Sequence, residues 1–115
     1  MKIKVFDIIG EDCITVEDGE KIYNLIFPKL NKGDKVELNF FKVEVFASPF
    51  FNAAIGRLMK DLTRDELNSR LIITEIANEG MAVLKLVIKN SIEYYHNEQY
   101  RKAHNAVLSN PSEER

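Results

Sequence analysis

Two kinds of apolar spacing alternate along this chain, and their order limits the folds that it can adopt. Val36, Leu38 and Phe40 alternate with polar residues, which is typical of a strand that buries one face. Apolar residues recur every three or four positions within residues 51–62 and again within 81–95, as in amphipathic helices. Strands that alternate with such helices favour an α/β fold with right-handed crossovers between parallel strands.

The full pattern predicts the order strand, strand, helix, strand, helix, strand, helix. The first two strands, at residues 3–5 and 13–14, are joined too closely for a crossover, so we expect them to pair antiparallel. The third runs over 36–45 with a bend at Lys42, and the fourth covers 71–76. The predicted fold class is therefore α/β, with a four-stranded mixed sheet and three main helices packed mostly on one face.

Capping residues mark the helix boundaries. Thr15 and Thr63 are each followed three positions later by a carboxylate, which is the spacing of a capping box. Ser48 is a preferred N-cap, and Pro49 is tolerated at the first helical position because the N–H that it lacks has no partner there. Pro28 falls late in the first helix and is expected to kink or end it.

Length and charge limit the classes of protein to which this chain can belong. With 115 residues, 45% of them hydrophobic, the chain suits one domain over residues 1–108, followed by a flexible tail at 109–115. Sixteen basic residues are interspersed with 18 acidic ones, so the clustered basic footprint of a nucleic-acid-binding protein is missing. The sequence has no long uncharged apolar run, so we expect no membrane span and a cytoplasmic location.

The sequence offers few residues for catalysis. Cys13 falls in a predicted strand, where a small buried hydrophobe is the simplest interpretation. His96 and His104 are eight residues apart on a helix, about 12 Å along its axis, so they cannot share a metal ion. The sequence contains neither GxxxxGK[ST] nor GxGxxG, the two phosphate-binding motifs. We therefore expect a protein that is not an enzyme and that has no metal and no cofactor.

The most informative segment follows the third strand. From Ser48 to Gly56 the chain reads Ser-x-Phe-x-Asn-x-x-x-Gly. Through this run, the strand at 35–41 and the order of elements, the chain resembles the STAS-like domains of unknown function from about residue 3 to about residue 98. These domains are relatives of the STAS domains of anti-sigma factor antagonists and of sulfate transporter tails.

The resemblance implies a regulatory role. In antagonist STAS domains the strand-to-helix turn carries an Asp-Ser-Ser-Gly-like motif, in which the second Ser is phosphorylated by a partner kinase. Here Ala47, Ser48, Pro49 and Phe50 occupy these four positions, so Ser48 is the hydroxyl that remains as a candidate phosphoacceptor. STAS-like domains are commonly associated with histidine-kinase-type ATPase domains, which implies a kinase-like ATPase as the partner in a partner-switching circuit. One long helix replaces the further strand and helix of full STAS domains.

The leading hypothesis is a non-enzymatic regulatory module that binds a protein partner at the start of the second helix. We expect Phe50 to be exposed there, because it lies about 100° around the helix from Phe51, which belongs to the apolar stripe. An exposed Phe beside a polar rim would mark an interface. The predicted partner-binding residues are Phe46, Ala47, Ser48, Phe50 and Asn52.

Two alternatives stay open. The long C-terminal helix would extend beyond a domain of this size, so the chain could form a homodimer through the region of Tyr94, Tyr100 and Leu108. A small ligand such as a nucleotide could instead bind at the carboxyl ends of the parallel strands, where ligands of open α/β sheets usually lie.

Overall fold

Short strands and helices alternate through most of the chain, which ends in one long helix. The computed structural model describes the backbone of residues 1–108 and the side chains of residues 1–96. Residues 109–115, for which we expected a flexible tail, lie outside this described part. The elements are β1 (Lys2–Lys4), α1 (Val5–Ile9), β2 (Asp12–Cys13), α2 (Val16–Asn31), β3 (Val36–Asn39), β4 (Val45–Phe46), α3 (Ser48–Ala54), a 3-10 helix (Gly56–Lys60), α4 (Arg64–Arg70), β5 (Leu71–Thr74) and α5 (Asn78–Leu108).

The strands form two parallel sheets where we predicted one mixed sheet of four strands. In the larger sheet β3 lies between β1 and β5, with Leu38 opposite both Ile3 and Ile73. The smaller sheet pairs β2 with β4. The predicted antiparallel pairing of β1 with β2 is wrong, because α1 and a turn at Gly10 (φ 89°) separate the two strands. β2 thus joins β4 in a separate sheet.

The bend predicted at Lys42 is present, and it ends the third strand. Lys42 adopts a left-handed conformation with φ 74°, so the chain leaves the larger sheet after Phe40, whose N–H donates to the carbonyl oxygen of Thr74 (2.9 Å). The segment that follows pairs with β2 instead of extending β3. The predicted third strand is thus divided into β3 and β4, and the fourth, β5, ends two residues before its predicted end at Ile76.

The helix boundaries largely follow the capping chemistry. Thr15 Oγ1 accepts a hydrogen bond from the Asp18 N–H (3.1 Å) at the start of α2. At Thr63 both hydrogen bonds of the capping box are present. α2 continues to Asn31, three residues past Pro28. The predicted N-cap of α3 is wrong by one residue, because Ala47 occupies the cap position and Ser48 is already helical.

The larger sheet has one covered face and one open face. Along β3, Val36 and Leu38 are fully buried, whereas Glu37 and Asn39 are half-buried. The same alternation puts exposed Lys2 and Lys4 of β1 and the exposed Ile72 of β5 opposite to the core. The apolar faces of α2, α3 and α5 complete that core. Within the described part of the chain, no helix is long and apolar enough to cross a membrane.

Candidate functional site

The turn between β4 and α3 is fixed by the small sheet beneath it. Cys13 of β2 lies opposite Phe46 of β4, and its carbonyl oxygen accepts a hydrogen bond from the Ala47 N–H (2.9 Å). The Ala47 backbone is extended (φ −134°, ψ 150°), and the helix begins at the next residue. The short β2–β4 sheet therefore sets where α3 begins.

A cluster of four Phe rings supports this turn from below. Phe46, half-buried, stacks on Phe51 with a centroid distance of 6.2 Å, and both rings contact Phe40 at 6.3 and 5.9 Å. Phe50 meets Phe51 edge to face at 5.3 Å. α5 covers Phe46 closely, since a Cβ at Gly80 would lie only 2.7 Å from its ring carbons. The cluster makes the turn part of the core.

Phe50 is fully buried, so the prediction that it is exposed is wrong. A residue about 100° from an apolar stripe reaches solvent only when the helix has a single covered face. α3 packs against both α2 and α5, so two of its faces are covered. Gly19 allows the close approach of α2, since a Cβ there would lie 2.5 Å from the Phe50 carbonyl oxygen. Phe50 therefore serves the core and cannot contact a partner.

The exposed residues at the start of α3 are Ser48, Pro49 and Asn52. Ser48 lies in the first turn, and within the described residues its hydroxyl makes no hydrogen bond. Ala47 is half-buried, like Phe46. Of the five predicted partner-binding residues, Ser48 and Asn52 are thus fully available, Phe46 and Ala47 are partly available, and Phe50 is not.

A groove of about 600 Å³ lies between α3 and α5, and we call it the α3–α5 groove. A glycine allows α5 to approach closely here: at Gly56 a Cβ would lie 2.5 Å from Ser91 Oγ of α5. It is lined by residues of α2, α3, the 3-10 helix and α5, among them Val16, Pro49, Asn52, Arg57, Asn90 and Tyr94.

Side chains on the rim of the groove hold one another in place. The Arg57 guanidinium lies 4.0 Å from the centroid of the Tyr23 ring and 3.9 Å from Glu20 Oε2. Burial raises the pKa of the Tyr23 phenol above its usual value, although the nearby Arg57 cation acts in the opposite direction. Sequence reasoning missed Arg57, because nothing in its local pattern shows that a residue after α3 returns to face α2.

Tyr94 contributes an aromatic surface to the same groove. Its side chain is 57% exposed, and its ring meets that of Tyr95 edge to face at 4.9 Å. The hypothesis of a homodimer also named Tyr100 and Leu108, whose side chains lie outside the described residues. The structure thus brings Tyr94 together with Asn52, two residues that belonged to different hypotheses.

Neither Cys13 nor His96 lines the α3–α5 groove. Cys13, the nearest thiol to the turn, is fully buried, and burial raises its pKa to about 12, with Asp18 and Asp12 adding to the effect. A thiol with so high a pKa stays protonated and is a poor nucleophile. Among the described side chains, no three His, Cys, Asp or Glu residues converge as metal ligands. His96 is exposed on α5, and the side chain of His104 is outside the described residues.

Comparison with known proteins places the chain in a family. A family model for STAS-like domains of unknown function matches residues 18–81, from the first turn of α2 to the start of α5. The match includes the β4–α3 turn and the α3 side of the groove, whereas the residues of α5 that line the groove lie beyond it. Neither the curated proteins nor the solved structures gave a significant match. With more than half of its length matched, and with the predicted resemblance confirmed, this chain belongs to the family of STAS-like domains of unknown function.

Proposed function

We propose that this chain is a non-enzymatic regulatory module that binds a protein partner through the α3–α5 groove. One observation carries the proposal: the exposed first turn of α3 borders a groove of about 600 Å³, to which α5 adds a largely exposed tyrosine. Pro49 and Asn52 form the α3 side, and Tyr94 forms the α5 side.

The composition of the groove is typical of a protein interface. Exposed Tyr and Arg side chains contribute more binding energy at interfaces than most other residues. Val16, 46% exposed, and Pro49 add apolar surface, while Asn52 and Asn90 supply amide groups at the edge. Because Arg57 is already held against Tyr23, little side-chain entropy is lost there when a partner binds.

The family resemblance favours a kinase-like ATPase as the partner, with Ser48 as the phosphoacceptor. Ser48 is exposed at the first turn of α3, directly before Pro49 of the groove. A phosphate there would add about two negative charges beside the groove. A partner surface that fits a neutral Ser would then be repelled, which is how such a module would release its partner.

The proposal is tested by affinity capture from the source cells with three baits. The wild-type chain is compared with Asn52→Arg, which places a long cation in the groove, and with Asn68→Arg, a matched change at an exposed position of α4. We expect an ATPase of the kinase-like class that is captured by wild type and Asn68→Arg and lost with Asn52→Arg.

Calorimetry with the captured ATPase, purified, then measures its affinity for each variant. We expect Asn52→Arg and Tyr94→Ala each to weaken binding by about tenfold or more, which corresponds to about 1.4 kcal/mol. Ser48→Asp should weaken binding, whereas Ser48→Ala should not. The proposal is wrong if no captured protein distinguishes Asn52→Arg from Asn68→Arg, or if the affinities of the two are equal.

The length of α5 supports self-association as a second candidate function. Its 31 residues span about 46 Å, whereas the two shorter axes of the molecule measure 27 and 22 Å. Light scattering on the full chain and on a chain truncated after residue 98 tests this candidate. A mass that falls from dimer to monomer on truncation supports it, and an unchanged oligomeric state excludes α5 beyond residue 98 as the contact.

A further inference from the structure

A second cleft, of about 430 Å³, lies where the open face of the larger sheet meets the carboxyl ends of β1 and β3. We call it the sheet-edge cleft. It shares no lining residue with the α3–α5 groove. The volume is in the range of small-molecule sites, and carboxyl ends of parallel strands are where open α/β sheets place their ligands. Its lining includes three cations and two aromatic rings: Lys2, Lys4, Lys42, Phe6 and Phe41.

The three lysines, Lys2, Lys4 and Lys42, form no salt bridge with any side chain that the structure describes. Lys2 and Lys4 project from the open face of β1, one pleat apart. Lys42 Nζ lies 5.7 Å from the centroid of the Phe6 ring and 6.0 Å from that of Phe41. Three ammonium groups around one cleft favour the binding of an anion.

Phe41 offers a flat apolar face beside these cations. Its side chain is 60% exposed, more than any other large hydrophobic residue that the structure describes. The turn that carries it is anchored, because the Phe41 N–H donates to Asn39 Oδ1 at 2.9 Å. The Lys42 cation lies over this ring, and the large surface that stays exposed can stack against a planar group of a ligand.

Two residues that line the cleft have a left-handed backbone. Lys42 (φ 74°) and Glu75 (φ 55°) are left-handed, and they follow β3 and β5. Both line the cleft. Non-glycine residues in this conformation cost free energy and persist where the surrounding structure holds them, and they are concentrated at turns and at ligand-binding sites.

Two carboxylates limit the charge of the ligand. Asp7 and Glu75 also line the cleft, so three positive charges face two negative ones. A polyanion such as a nucleic-acid strand would be repelled by the carboxylates, whereas one anionic group can reach the lysines and avoid them. The arrangement therefore favours a small ligand with a single anionic group.

We propose that the sheet-edge cleft binds small aromatic acids, in which a flat ring stacks on Phe41 and one carboxylate or phosphate group contacts Lys4 and Lys42. The observations that carry this site are independent of the α3–α5 groove, so it stands or falls separately from the proposed partner binding.

The test is a titration of the ¹⁵N-labelled full chain, followed by amide chemical shifts. Benzoate and phenyl phosphate are the probes, and each has a control that lacks one part: cyclohexanecarboxylate lacks the flat ring, and inorganic phosphate lacks any ring. We expect benzoate or phenyl phosphate, at millimolar concentration, to move the amide signals of Phe6, Phe41, Lys42 and Glu75. The two controls should bind about tenfold more weakly or worse, as expected when stacking on a ring is lost.

Variants locate the site. Phe41→Ala and Lys42→Gln should each weaken benzoate binding about fivefold to tenfold, while Lys32→Gln, a matched change at an exposed position near the end of α2, should leave it unchanged. Unchanged spectra outside the cleft show that each variant is folded.

Three results would overturn the proposal. One is the absence of cleft shifts with both aromatic probes, and another is equal binding of benzoate and cyclohexanecarboxylate. The third is tighter, Phe41-dependent binding of a single-stranded oligonucleotide, which would make the open face a nucleic-acid surface.

Discussion

The α3–α5 groove, of about 600 Å³, and the sheet-edge cleft, of about 430 Å³, differ in whether their charged side chains have partners. In the groove Arg57 is paired with Glu20 and stacked on Tyr23. In the cleft three lysines have no counter-ion within the described residues. A surface whose charges already have partners is suited to a large, mostly apolar contact, whereas unpaired charges are suited to a small ion.

The two regions also differ in how they relate to the core. The cluster of four Phe rings that supports the β4–α3 turn is part of the core, so changes to these rings act on folding. The cleft lies on the open face of the sheet, and the more exposed of its two Phe rings, Phe41, contributes little to the core. Stability measurements should therefore separate the two regions even before any ligand is known.

The largest effect is expected from Phe50→Ala. Phe50 is fully buried, so its truncation removes apolar contacts and leaves a cavity, which lowers the free energy of unfolding by about 3–5 kcal/mol. Phe41→Ala is the matched control, and because Phe41 is 60% exposed we expect a change of less than about 1 kcal/mol. Urea denaturation followed by circular dichroism measures both. Similar losses in the two variants would contradict the assignment of Phe50 to the core. For the same reason, Phe50→Asp cannot serve as an interface variant, since it would unfold the chain.

Local chemistry explains which parts of the fold could be predicted. Thr15 and Thr63 form their predicted caps because a hydroxyl and an N–H three residues apart need no distant partner. Val36 and Leu38 likewise alternate with polar residues, which predicts that one face of the strand is buried, as it is in β3. Two other features depend on how α1 and α2 pack: the pairing of β2 with β4, and the burial of Phe50. The spacing of apolar residues along the chain gives no information about this packing.

The candidate sites could be predicted only in part, for the same reason. The sequence pointed to Ser48 and Asn52, because strand-to-helix turns are recognisable from their residues. It did not point to Arg57 or Asn90, which reach the groove from separate segments. The left-handed backbone at Glu75 was also unpredicted, since no Gly or Asn marks it.

A smaller loss of stability is expected from Gly19→Ala. A Cβ at residue 19 would lie 2.5 Å from the Phe50 carbonyl oxygen and 2.7 Å from Ala53 Cβ, so α2 and α3 must move apart. Alanine favours a helix by up to about 1 kcal/mol over glycine, but overpacking against backbone costs more, and we expect a net loss of about 1–2 kcal/mol. Asn24→Ala, at an exposed position of α2, is the control and should be neutral or slightly stabilising. A stabilised Gly19→Ala protein would show that the two helices are not in close contact.

The buried thiol of Cys13 makes the free energy of unfolding depend on pH. The pKa of Cys13 is raised in the folded chain to about 12, so the folded thiol stays neutral where the unfolded thiol ionises. The neutral thiol therefore contributes fully to the stability of the folded chain below about pH 9. This contribution decreases between about pH 9 and about pH 12, by at most about 1.4 kcal/mol per pH unit. Denaturation of wild type and of Cys13→Ala at pH 8 and pH 10 measures it. We expect the stability of wild type to fall by about 1 kcal/mol more than that of the variant over this range. If the stabilities of wild type and Cys13→Ala change equally between pH 8 and pH 10, the thiol of Cys13 is in contact with solvent.

The smallest effect, and one of opposite sign, is expected from Lys42→Gly. A left-handed lysine costs about 1–2 kcal/mol, and the extra freedom of glycine in the unfolded chain offsets about 0.5–1 kcal/mol of that relief. We therefore expect a gain of up to about 1 kcal/mol, whereas Lys32→Gly, at φ −82°, should give none. The same Lys42→Gly protein loses one of the three unpaired ammonium groups, so its binding of benzoate should weaken while its stability rises. A gain in stability together with weaker binding would show that the backbone of Lys42 is strained and that its ammonium group contributes to binding the ligand. A Lys42→Gly protein that is destabilised as much as Lys32→Gly would show that the left-handed backbone at residue 42 carries no strain.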